Sequence, residues 1–329
     1  MIALLTPSEG ECADLQTAQQ RAFLAMEKRP YDVDKIDWST PTWTQAPDGT
    51  KPAPVVFSWS GTGAVPARFA LSEFADFRQK YTMNTTEQTL TVYNLLPGKR
   101  YYWRINDSPI GSFTTGAALP RFLYVQGLAN VRDIGGYRTV DGRRLRYNRI
   151  LRGSEMDGGH WLAPMGQQYL HDLMHIRTDI DLRKKNDQAK ISPIGADVRI
   201  LPLEYGAYDA IFAAEYYAMT QALFTLFADP LAYPIYMHCI AGADRTGTVI
   251  FLLECLLGMR EEDIVADYEA SSLSIWGDRS HRSEEYRAMV ARLATFSGAD
   301  RREQVKTYLK YCGITQAQFT AIENNLLEH

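Results

Sequence analysis

The feature that most constrains the fold is a change of hydrophobic period partway along the chain. Upstream of Gly116 the apolar residues alternate over short runs, as in Val55, Phe57, Trp59 and again Tyr101, Trp103, Ile105, with Pro and Gly between the runs. A period of two puts one face of each run on a core and the other in water, which is the pattern of half-buried strands. Downstream of Pro120, compact apolar runs at 177–182, 198–203 and 233–237 alternate with longer helical patterns at 162–175, 211–227 and 246–257. Such alternation predicts an α/β domain with a mostly parallel central sheet flanked by helices. A chain of 329 residues exceeds what one core usually holds. Three segments are therefore expected: a helical stretch over 1–30, a smaller β-sandwich over 31–117 and the α/β domain over 118–329.

The N-terminal helix is read over residues 8–28, where Leu15, Ala22, Phe23 and Met26 recur at roughly helical spacing. The strand texture begins near Trp38, and Gly111 to Thr115 supplies the closing strand. Leu95, Pro97 and Tyr101 stand at the spacing of a tyrosine corner, so this region resembles a fibronectin type III sandwich. The resemblance implies that the Tyr101 hydroxyl ties a loop back to the sandwich. Sandwiches host many functions, so this one is expected to be either a spacer or the seat of a protein or carbohydrate ligand. Beyond residue 261 the chain reads as helical, and Thr315 with Gln318 forms the capping-box pattern of the last helix.

Hydrophobic residues at 46% and charged residues at 22% describe an ordinary globular protein. The net charge of −4 argues against nucleic acid or an anionic membrane as partner, so any bound anion must be captured locally. No apolar run is long enough to span a bilayer. The stretch Met1 to Leu5 is too short for a signal-peptide core, and Leu327-Glu328-His329 resembles the start of an expression tag. A soluble chain is expected, cytoplasmic or exported with its signal removed. Cys12, Cys239, Cys255 and Cys312 lack the close spacing of metal sites or disulfide scaffolds, and neither a metal nor a cofactor is predicted.

The segment Tyr236-Met-His-Cys-Ile-Ala-Gly-Ala-Asp-Arg-Thr-Gly-Thr248 joins an apolar strand to an apolar helix. Its loop therefore lies at the carboxyl end of a strand and at a helix N-terminus, where α/β sheets bind ligands. Successive backbone N–H groups from Ile240 through Ala241, Gly242 and Ala243 to Arg245 are able to curl around an anion, aided by the helix end. Cys239 at the floor of such a cradle is favoured as thiolate, the nucleophilic form. The planar fork of Arg245 matches two phosphoryl oxygens and the charge that spreads over them during transfer.

Five residues between Cys and Arg, with His before and Thr after, resemble the signature of the cysteine-dependent protein tyrosine phosphatase superfamily. The fuller string His-Cys-Ile-Ala-Gly-Ala-Asp-Arg-Thr-Gly resembles a bacterial tyrosine and dual-specificity group whose loop reads His-Cys-x-Ala-Gly-Lys-Asp-Arg-Thr-Gly. Asn130 to Tyr137, Asp141 to Arg143, Ile150 to Glu155, Asp181 to Arg183 and Glu262 to Tyr268 look like that group's recurring blocks. The resemblance implies a phosphomonoester hydrolase working through a phosphocysteine, with Cys239 attacking and Arg245 binding phosphate. Thr246 is expected to steady the departing thiolate, or to serve as a helix N-cap. His238 is expected to orient the loop rather than act as a base. The general acid is Asp244 by first choice, Asp181 by second, and either is also explained by pairing with an arginine. Asp133 and Arg152 are expected to back the site, or to form surface salt bridges.

This chain departs from the group at Ala243, which stands where the group often has lysine. The lost charge favours phosphotyrosine or dual-specificity protein substrates over phosphoinositides and inositol phosphates. Arg183, Lys184 and Lys185 are the residues able to restore it. Two rival readings are a sulfurtransferase and a non-catalytic binder of phosphorylated partners. The first does not explain the full loop string, and the second does not explain the presence of both Cys239 and Arg245.

Overall fold

The computed structural model describes residues 2–27, 48–61 and 65–328. The chain divides into two compact units, Met1–Ala18 with Pro52–Leu123 and Gln19–Lys51 with Tyr124–His329. The expected boundary at 30/31 and the onset of strand texture at Trp38 lie outside the described residues.

In the first unit, β1 (Ala3–Thr6) joins β3 (Val55–Ser60) and β6 (Thr89–Val92) in one sheet. The second sheet runs in the order β2 (Cys12–Ala13), β8 (Gly111–Thr115), β7 (Arg100–Ile105), β4 (Ala67–Ser72) and β5 (Tyr81–Thr85). The alternation in Val55, Phe57, Trp59 and Tyr101, Trp103, Ile105 turns these side chains into one shared core with Phe69, Leu71 and Phe113. Phe57 sits at its centre, with the rings of Phe69 and Trp103 edge-on at 4.9 and 5.0 Å, a favourable arrangement of aromatic quadrupoles. The Tyr101 hydroxyl accepts a hydrogen bond from Leu96 N at 2.9 Å.

The helix expected over 8–28 is shorter: α1 spans only Ala18–Leu24, and Cys12–Ala13 is instead a strand parallel to Thr114–Thr115. The acids at the start of this stretch are spent on turns and on β8. Glu11 Oε2 accepts from Ser8 N and Oγ, and Glu9 accepts from Ser112 N and Oγ at 2.7 and 2.6 Å. Gly10 at φ +78° then turns the chain, so local side-chain bonds outcompete the helix. Residues 2–18 accordingly pack with the strands rather than forming a separate helical segment with 19–30.

In the second unit the sheet runs β13 (Arg199–Pro202), β12 (Thr178–Asp181), β14 (Ile235–His238), β11 (Ile150–Gly153), β10 (Arg132–Asp133). The first four are mutually parallel and β10 pairs antiparallel with β11. Every residue of β11, β12 and β14 is buried, as expected for strands covered on both faces. The remaining strand of the chain, β9, is Arg121–Phe122. The helices are α2 (Pro164–Gln168), extended by a π turn over Tyr169–Leu173, then α3 (Tyr217–Ala228), α4 (Arg245–Leu257), α5 (Glu261–Glu269), α6 (Glu284–Leu293), α7 (Arg301–Tyr311) and α8 (Gln316–Leu326). The side chains of α4 are buried from Thr246 to Leu257, so it is a central helix and apolar nearly all round. Thr315 and Gln318 cap α8 reciprocally. No helix of the described residues is long and apolar enough to cross a membrane.

Candidate active site

Strand β14 ends at His238 and α4 begins at Arg245, which leaves Cys239 to Asp244 as the connecting loop. Gly242 holds φ +67°, and a Cβ there would lie 2.1 Å from the Gly153 carbonyl oxygen, so only glycine fits this close approach to β11. Each carbonyl of the loop is fastened to the scaffold. Cys239 O lies 3.2 Å from His238 Nδ1, Ile240 O accepts from Glu155 N at 2.9 Å, and Ala241 O accepts from Asn130 Nδ2 at 2.9 Å. Gly242 O accepts from Arg152 Nη2 at 2.8 Å, with Ala243 O at 3.5 Å from the same nitrogen. In a planar trans peptide the N–H points opposite to the C=O. Fastening the carbonyls of 239–243 therefore turns the N–H groups of 240–244 away from those anchors, which leaves them available to an anion.

The fastening groups are themselves fixed by a buried ionic cluster. Asp267 accepts from Arg132 Nε at 2.9 Å and from Arg152 Nη1 at 2.6 Å, and all three side chains are sealed from solvent. Arg132 also donates to Asn130 Oδ1 at 2.6 Å and to Ser271 Oγ at 3.0 Å. Burial drives the Asp267 carboxyl toward the neutral form, but the two guanidiniums win and hold it below the usual carboxylate range. Buried ion pairs contribute little net stability against an apolar replacement. The consequence of this one is positional: it aims Arg152 at Gly242 O and Asn130 at Ala241 O.

His238 is buried, with Nε2 3.1 Å from Asp179 Oδ1. Burial pulls its pKa down, yet the facing Asp179 carboxylate and the nearby Asp181 push it up to about 9. The imidazolium thus pairs with the Asp179 carboxylate through its Nε2 side and turns Nδ1 to Cys239 O.

Cys239 is 2% exposed. Arg245 is half-buried, donates to Leu182 O at 3.2 Å and forms no ion pair among the described residues. Thr246 is the second residue of α4, so it is not the N-cap; that position belongs to Asp244. The Thr246 hydroxyl is buried with no hydrogen-bond partner among the described residues.

Both candidate acids are paired with arginines. Asp244 accepts from Arg279 Nε at 2.6 Å and Nη2 at 3.0 Å, and from the Tyr208 hydroxyl at 2.5 Å. Burial raises its pKa, but Arg279 and Tyr208 bring it below the ordinary value. Asp181 lies under Arg183, with Nη2 at 2.7 Å; burial opposes its charge and the guanidinium again prevails. Of the two, Asp244 has a third of its side chain exposed, against 1% for Asp181.

Arg152 and Asp133 are both buried rather than on the surface, which corrects the salt-bridge alternative. They differ in what they touch: Arg152 reaches the loop, whereas Asp133 accepts from Gly135 N and Asn148 N, both at 2.8 Å. Arg183, expected as a rim cation, is instead enclosed by Asp181, Glu155 and Asp157. Ala243 is 1% exposed and packs with Ala129, Ala241, Ile275 and Trp276; the His160 ring lies tilted against Trp276, with centroids 4.7 Å apart. Sequence reasoning missed Asn130, Glu155, Asp179, Asp267 and Arg279. Asn130, Glu155 and Asp267 fall inside blocks whose resemblance had been noted, a signal that was available without their roles.

A strand-to-helix loop with a cysteine at its floor, inward amides and an arginine at its end defines a cysteine-dependent phosphatase. The chain belongs to the tyrosine phosphatase family, whose profile matches residues 123–328. Among solved structures it is similar to the core catalytic domain of the PP-IP phosphatase SIW14 from S. cerevisiae in complex with citrate. That match has 16% identity, covers 39% of this chain and 75% of that one, and has a TM-score of 0.30. No curated protein matches it.

Proposed function

We propose that the protein hydrolyses phosphomonoesters through a phosphocysteine intermediate, with phosphotyrosine in proteins as the preferred substrate. The observation that carries this reading is the fastening of the Cys239 loop by its carbonyls, which frees its peptide N–H groups for an anion beside Arg245, a residue with no ion pair among the described residues. The Cys239 sulfur attacks phosphorus as the bond to the leaving oxygen breaks, while Arg245 and the amides hold the equatorial oxygens. Water then cleaves the sulfur–phosphorus bond and releases inorganic phosphate. Thr246, with its unpartnered hydroxyl, stabilises the sulfur anion as it departs.

Two features favour phosphotyrosine. Asp244 and Asp181 are both held as carboxylates, so the resting site offers little protonation to a leaving group. A tyrosine phenoxide, with a conjugate acid of pKa about 10, needs that help less than a serine alkoxide does. The cations around the loop are also spoken for: Arg183 by three acids, Arg279 by Asp244, Arg132 and Arg152 by Asp267. A multiply charged inositol phosphate gains less from such a rim than a single phosphoryl group does. Asp244, the more exposed of the two acids, is assigned the proton transfer, which requires it to leave Arg279. The loop string supports a reading within the bacterial tyrosine and dual-specificity group, and the Tyr101–Leu96 bond supports a fibronectin type III-like identity for the sandwich.

The test is a panel of phosphotyrosyl and phosphoseryl peptides, a phosphoinositide and an inositol polyphosphate, assayed with the parent chain and with Cys239→Ser. The phosphotyrosyl peptide should be hydrolysed fastest, and Cys239→Ser should fall to background on all of them. Parental rates in Cys239→Ser remove the mechanism; a faster inositol substrate removes the specificity.

A further inference from the structure

We propose that Thr50, which lies outside the residues that match the family, is a positioning residue for the catalytic loop. The inference rests on the reading of that loop as the phosphate site.

Residues 19–27 and 48–51 pack with the catalytic unit. The Gln20 side chain is fully buried, and its Nε2 donates to Gly49 O at 2.9 Å and to Lys51 O at 2.8 Å. These bonds clamp the carbonyls on either side of Thr50. Gly49 is seated against the turn after α5: a Cβ there would lie 2.6 Å from Leu273 O. Thr50 is 1% exposed. Its hydroxyl donates to Asp48 Oδ1 at 2.6 Å, which spends its only proton, and its lone pair then accepts from Asn130 N at 3.0 Å.

Asn130 is the residue whose side chain fastens Ala241 O. It is wholly buried and holds φ +56°, a conformation that non-glycine residues adopt only when their surroundings enforce it. The Thr50 acceptor is part of that enforcement, together with the Asp48 carboxylate that also faces Asn130 N, since a buried N–H is held where its acceptors lie. The relay Gln20, Thr50, Asn130, Ala241 thus sets the direction of the Gly242 N–H in the anion cradle. A segment some eighty residues upstream in sequence completes the site.

Thr50→Val removes the acceptor and keeps the shape. In the full-length chain with native Cys239, kcat for p-nitrophenyl phosphate should fall about tenfold, the effect of one misdirected oxyanion donor, with a smaller change in KM. In a Cys239→Ser background, calorimetry should show inorganic phosphate bound about tenfold more weakly when Thr50→Val is added. Thr50→Ser, which restores the hydroxyl, should return both values to within about twofold of the parent. A Thr50→Val chain with parental kcat and phosphate affinity overturns the proposal, even if its Tm is lower. Should Thr50→Val not fold, Gly49→Ala, which displaces the segment and keeps its hydrogen-bonding groups, is read by the same two measurements. If Cys239→Ser with Thr50 intact binds no phosphate, the reading of the loop falls and the proposal with it; if it binds and the second substitution changes nothing, the proposal falls alone.

Discussion

Both units bury apolar side chains, but the catalytic unit buries a polar cluster as well. At the heart of the sandwich are hydrocarbon rings, Phe57 among Phe69, Trp103 and Phe113, whose burial is favourable without regard to exact direction. At the heart of the catalytic unit, around Asp267, are guanidiniums, an amide and a serine, whose burial is costly unless each bond is made. The first kind of core stabilises a shape. The second accepts a cost in stability to fix the direction of particular atoms, here the donors that grip the loop carbonyls.

The largest effects should separate these two roles. Trp103→Ala should cost about 3–5 kcal/mol in urea unfolding while the folded molecules keep their kcat. Asp267→Asn, which leaves Arg132 and Arg152 short of compensating charge, should cost a similar ~3–5 kcal/mol and lower kcat as well. A Trp103→Ala chain that stays folded yet loses kcat would break the contrast.

A second, smaller effect concerns pH. His238 has a folded pKa of about 9, above its unfolded value near ~6.5. Its contribution is therefore fully present below about pH 6.5 and lost as pH rises through about 9. Urea titrations across this window should show stability falling with pH, and Asp179→Asn should flatten the fall. A slope that survives Asp179→Asn assigns it to another group.

The smallest effect sharpens the role of Asp244. Arg279→Met removes the cation that holds this carboxyl down, so its pKa should rise under the burial that remains. If Asp244 donates the proton, the basic limb of the kcat profile of the folded molecules should move to higher pH. An unmoved limb would take Asp244 out of the chemistry.

Much of the framework was legible because it rests on period and local chemistry. Gly111–Thr115 is a strand at the residues expected, the apolar runs at 177–182 and 198–203 contain β12 and β13, and the run at 233–237 covers all of β14 but its last residue. The cysteine loop was legible because strand, glycine, arginine and helix are contiguous. What escaped depends on topology. Arg152 and Asp133 looked alike in sequence, yet β11 carries one to Gly242 while the other serves the turn at 135 and 148. The pairing of Asp244 with Arg279 joins residues 35 apart, and no local pattern announces it. The N-terminal helix was over-read because Leu15, Ala22, Phe23 and Met26 fall at helical spacing, while the Glu9 and Glu11 carboxylates upstream take partners in Ser112 and Ser8 that turn the chain.

The fastening of the loop from its carbonyl side has a consequence for how such an enzyme diversifies. The groups that hold the backbone and the side chains near the opening, such as the exposed Ile240 and the stretch around Trp276, are largely different residues. Selection is then free to exchange the latter and retune which molecules enter, generation after generation, while the machinery that breaks the bond is inherited unaltered.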